Sequence, residues 1–160
     1  MRILHCVVLA ATMTVLFDSR RAWASQAQDT TGKSVDAANS KDGNNVGVDM
    51  LSDTQGFDFA PYLRTALKLI FDTWRPLIPE EARAPQYQKS KTAIRFSIRS
   101  SGELASMHLD SSTRQMQFDR AAWGAITGVE KFPPLPEKFT KPTLELRVYF
   151  YVNAKPPGAQ

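Results

Sequence analysis

Among 160 residues there is one cysteine, and there are two histidines. A single cysteine excludes an intrachain disulfide framework and any zinc site built on paired cysteines. With Cys6 close to the amino terminus, its loss with a cleaved leader would leave a cysteine-free mature chain, which suits an oxidising exterior compartment. Long apolar runs are missing too. The longest, Ile3 to Phe17, would rise only about 22 Å as a helix, against roughly 30 Å of hydrocarbon. The chain has no GxGxxG turn, P-loop or HExxH helix. Basic residues exceed acidic ones only slightly and are scattered, so a nucleic-acid footprint is not expected. These absences point away from an enzyme and from any metal or cofactor, toward a binding protein. The one arrangement with catalytic residue types, His108-Leu109-Asp110-Ser111-Ser112, reads more simply as an exposed strand histidine followed by a turn.

The leader has the form of an export signal. Arg2 precedes the apolar stretch, and Ala22-Trp23-Ala24 supplies the small residues a signal peptidase reads, so cleavage after Ala24 is expected. A short membrane anchor over residues 1–24 is the other reading. Residues 25–56 are rich in Ser, Thr, Asn, Asp, Gln and Gly, a composition that reads as a disordered polar linker. The working domain is then 57–153, followed by a flexible tail at 154–160. It is mildly basic, whereas the linker is acidic.

Within the domain the hydrophobic period changes in a readable order. Phe59, Leu63, Ala66, Leu67, Ile70 and Trp74 recur at helical spacing, and Pro76 and Pro79 end that helix. Thr92, Ile94, Phe96 and Ile98 alternate with polar neighbours. After a turn at Ser100-Ser101-Gly102-Glu103, Leu104 to Leu109 return as the second half of a hairpin. A second helix is expected near Gln117–Val129, with Asp119 in its first turn facing the positive end of the dipole. Phe132-Pro133-Pro134-Leu135-Pro136 must be an extended connector, with Phe132 and Leu135 on the core. Leu144, Leu146, Val148, Phe150 and Val152 alternate over a final long strand, Thr143–Val152.

The expected fold is α+β: a two-layer sandwich in α-β-β-α-β order, with a three-stranded antiparallel sheet of strand order 2-1-3 and two helices on one face. That arrangement leaves the final strand at an edge with an unpaired side. An extended peptide could add a strand there, and Thr143, Glu145, Arg147, Tyr149 and Tyr151 share the outward face beside it.

Taken together in order and spacing, these segments resemble the C-terminal domain of the TonB family, with the TolA C-terminal domain as a near relative. The carriers are Tyr62-Leu63 through Trp74-Arg75-Pro76, the Ile94-x-Phe96-x-Ile98 hairpin with Gly102 and Leu104, Ser111-Ser112, and Phe118-Asp119-x-Ala121-Ala122. Phe132 to Pro136 and Leu144 to Tyr151 complete the set. The resemblance implies a periplasmic domain that docks onto an outer-membrane transporter or receptor, a receptor segment pairing with Thr143–Val152. It also implies a part in energised transmembrane transport. Trp74, Pro76, Gly102, Asp119 and the Phe132, Pro133, Pro134, Leu135, Pro136 run are then structural motif residues. If the leader stays as an inner-membrane anchor, ExbB–ExbD-like motor proteins are expected partners. Strand exchange at the same edge could pair two copies as a homodimer. The short leader and linker keep an alternative open: a soluble exported adaptor that uses the same fold without energy transduction.

Overall fold

A computed structural model describes residues 35–39 and 43–156. The expectations for residues 1–24, for the start of the polar stretch and for the last four residues lie outside this range.

The first helix, α1 (Ala60–Trp74), follows Asp58, whose carboxylate accepts a hydrogen bond from the Ala60 N–H at 3.0 Å. Pro61 sits in the first turn, where a missing N–H removes no intrahelical bond. The stripe Leu63, Ala66, Leu67, Ile70 and Trp74 is buried. The helix tightens into a 3-10 turn at Arg75–Leu77, around Pro76. Two strands of a hairpin follow, β3 (Ser90–Arg99) and β4 (Leu104–Ser111), and then α2 (Met116–Thr127), which buries Phe118, Ala121, Ala122, Ala125 and Ile126. The chain returns as β5 (Thr143–Val152).

Two further strands precede α1: β1 (Val35–Asn39) and β2 (Asn45–Met50). The sheet therefore has five strands in the order β1-β2-β5-β3-β4, every neighbouring pair antiparallel. This corrects the expected three-stranded sheet of order 2-1-3. β3 lies between β4 and β5, but β5 is not an edge, because β2 pairs with it through six residues, from Asn45 opposite Tyr151 to Met50 opposite Leu146. It also corrects the domain start at 57, since Asn45–Met50 belongs to the sheet. The local signal was present: Val46, Val48 and Met50 alternate with Asn45, Gly47 and Asp49. A polar average over residues 25–56, with a glycine inside the run, hides a strand only six residues long.

One core joins these elements. Ile94, Phe96 and Ile98 of β3, Leu144, Leu146, Val148 and Phe150 of β5, and Val46 and Val48 of β2 are buried in a single cluster with the stripes of both helices. Trp74 meets Phe150 edge-on at 5.1 Å between ring centroids, tying α1 to the middle of the sheet.

The proline connector closes the other end. Phe132 stacks on Phe96 at 5.7 Å, and its N–H bonds the Gly102 carbonyl at 3.0 Å. The Leu135 N–H bonds Ser100 O at 3.1 Å, and Pro133 O accepts from the Tyr62 hydroxyl at 3.1 Å. Gly102 is required here. Its φ is +88°, and a Cβ would stand 2.1 Å from Phe132 O. Asp119 does more than face the helix dipole: its carboxylate accepts from Thr92 Oγ1 at 2.8 Å and Ser112 Oγ at 2.5 Å, pinning α2 to the hairpin.

Candidate strand-docking site

The candidate site is the long strand β5 with the polar face it carries away from the core. Arg147 and Arg95 are directly opposite one another across the β5–β3 ladder. Two like charges in that position repel. Asp110, on the next strand, relieves this by accepting from Arg147 Nε at 2.7 Å and from Arg95 Nε at 3.2 Å. The bulge opposite Ala93 and Ile94 brings Asp110 to this position. The Asp110 bond is the main cause that holds the Arg147 guanidinium above its ordinary pKa. Glu145 adds a looser contact to Arg95 at 3.6 Å.

Tyr149 lies beside Arg147 on the same face and donates its hydroxyl to Asp49 of β2 at 2.7 Å. Desolvation first, and then the Asp49 bond, push its pKa up. Tyr151 stacks on Tyr149 at 6.1 Å, and the Lys91 ammonium lies over both rings, at 5.2 and 5.5 Å. Tyr151 is only 4% exposed, which corrects its expected place on an open face. Thr143 opens the strand opposite Arg99.

The backbone of β5 is occupied on both sides. β3 covers one, and β2 the other, continued by Leu51 N–H and Ser52 N–H, which both bond Glu145 O, at 3.0 and 3.3 Å. The Ser52 hydroxyl accepts from the Glu145 N–H at 2.8 Å. The unpaired edge expected at Thr143–Val152 is therefore filled by the chain itself.

The family model described as TonB C terminal matches residues 62–150. The chain belongs to the TonB C-terminal family. No curated protein and no solved structure matches it. The matched span of this TonB-family domain runs from α1 through nearly all of β5, and so leaves out the chain's own strand β2. Of the motif residues named from the resemblance, Trp74 packs edge-on against Phe150 of β5, Gly102 lies against Phe132, and Asp119 sits in the first turn of α2.

The His108–Ser112 grouping does not assemble as a triad. The Ser112 hydroxyl is bonded to Asp119, and Asp110 is bonded to the two arginines. Among the described residues no cluster of His, Cys, Asp and Glu could hold a metal, and no helix is long and apolar enough to cross a membrane. Asp49 and Lys91, partners of the tyrosines, were not singled out in the sequence, and Asp110 stood out there only within the His108–Ser112 grouping, not as the partner of Arg95 and Arg147. Only the alternation around Asp49 could have revealed any of them, because the rest depends on the register.

Proposed function

We propose that this chain is a TonB-like binding domain that takes an extended segment of an outer-membrane transporter or receptor along β5, in the periplasm, and so contributes to energised transport. The observation that carries the reading is the side of β5 facing away from β3. It forms an antiparallel ladder with an extended segment from outside the matched family span, and that segment's apolar residues seat in the core. An extended strand therefore fits there, with main-chain bonds for affinity and Tyr149 and Arg147 for selectivity.

The test is retention of a detergent-solubilised outer-membrane fraction on the immobilised chain, with bound proteins identified by mass spectrometry. The wild type is expected to retain a transporter of the barrel type, and Arg147→Glu, folded by circular dichroism, is expected to lose it. Equal retention by both would remove β5 from the binding surface. Fractionation separates coupling to an ExbB–ExbD-like motor from action as a soluble exported adaptor. A full-length membrane-bound product supports the former, and a released chain beginning near Ser25 supports the latter.

A further inference from the structure

The position that a partner strand would take along β5 is filled by β2. The β2 segment shows what that position selects. Val46 and Val48 are each 2% exposed and face Phe150 and Val148 across the ladder, and Met50 packs against the same cluster from opposite Leu146. On the other face the middle residue between the valines is Gly47. A Cβ there would already stand 3.6 Å from the Tyr151 ring, so alanine fits and a longer side chain presses on the Tyr149–Tyr151 stack. Asp49 lies opposite Arg147 and accepts from Tyr149 at 2.7 Å, placing a carboxylate on a face with Lys91, Arg95 and Arg147. The pattern is apolar, small, apolar, acidic, apolar.

The same segment, held between β5 and β1, is not an optimised strand. The Asn45 side-chain oxygen is buried without a hydrogen-bond partner among the described residues. An unmet polar group of this kind weakens the strand that carries it. Glycine at the centre of a six-residue strand weakens it further.

Resting on the strand-docking reading, we propose that β2 is an internal stand-in for the partner. A partner strand with the same apolar-small-apolar-acidic-apolar pattern displaces Asn45–Met50 and pairs with β5 in its register. The chain thus carries both its docking groove and a plug that sets which partners can open it. A tethered segment competes at an effective concentration in the millimolar range, so only a partner that matches the pattern, or that is itself held close, exchanges with it.

The experiment uses the full chain and a labelled synthetic peptide of residues 43–52 as the probe. In the variant Val46→Asp/Val48→Asp the plug is spoiled while β5 is untouched. Val46→Ala/Val48→Ala serves as a milder version should the first not fold. The peptide is expected to bind the folded variant at least tenfold more tightly than the wild type, and the peptide carrying Asp49→Lys to lose at least tenfold of that binding. Equal binding to wild type and variant would show that β2 does not plug the groove, and would overturn this proposal while leaving β5 as a docking strand. Equal affinity of the two peptides would overturn the acidic position in the pattern. Binding to neither chain, with the variant folded, would overturn the docking reading itself.

Discussion

Val48 of β2 stands opposite Val148 of β5, and both side chains are sealed in the core. The two positions differ in what holds them. Val148 lies in the middle of the sheet between β2 and the ten-residue strand β3, whereas Val48 belongs to a six-residue strand joined to the sheet at β5 on one side and to β1 on the other. Val148→Ala is expected to lower global stability by about 2 kcal/mol, read from the urea midpoint. Val48→Ala should instead lower the free energy of opening β2 by about 1 kcal/mol or more and leave the midpoint nearly unchanged. Equal midpoint losses would mean that β2 unfolds only with the whole domain.

Gly102 is held at φ +88° with the Phe132 carbonyl directly where a side chain would begin. Gly102→Ala must either push the proline connector away or distort the turn. The expected cost is on the order of 3 kcal/mol, with Phe132 losing its stacking on Phe96, seen as a change in near-ultraviolet circular dichroism. A substitution with no loss of stability would contradict the close packing of the hairpin turn on the connector.

Asp110 separates two arginines placed face to face. With Asp110→Asn the repulsion between Arg95 and Arg147 is no longer offset, and stability should fall by about 1 kcal/mol at low salt. All three groups meet solvent, so raising the salt concentration should shrink the difference between variant and wild type. A loss that does not depend on salt would point to packing instead of charge.

Tyr62 is buried on α1 and donates to Pro133 O, and desolvation pushes its pKa up to about 12 from an ordinary value of 10.0. The folded state therefore keeps its proton where the unfolded state has lost it. The contribution is fully present below pH 10 and is lost as the pH rises from there toward 12. Tyr62→Phe should flatten this part of the stability profile in thermal melts across that window. An unchanged slope would mean that the hydroxyl is not held protonated by the fold.

Much of the scaffold was legible in the sequence because each element repeats its signal. The stripe from Leu63 to Trp74, the alternation of Ile94, Phe96 and Ile98, and the five apolar residues of β5 each make the same statement several times over. Phe132 and Leu135 were legible as core anchors because a proline-rich run has few other ways to lie. β2 was not, since three apolar residues in a polar stretch only become a strand when β5 is there to pair with them. The site suffered from the same gap. Arg147 and Tyr149 could be named from their place on β5, but their partners Asp110 and Asp49 come from other strands, and a bulge sets the position of Asp110.

The most direct test of the account is hydrogen exchange on the full chain, followed residue by residue with and without excess peptide of residues 43–52 carrying an isotope label. The amides of Asn45–Met50 are expected to exchange through a local opening, well before those of β3 and β5. Added peptide should speed their exchange further while β5 stays protected. Exchange of β2, β3 and β5 together at a single rate, unaffected by the peptide, would contradict it.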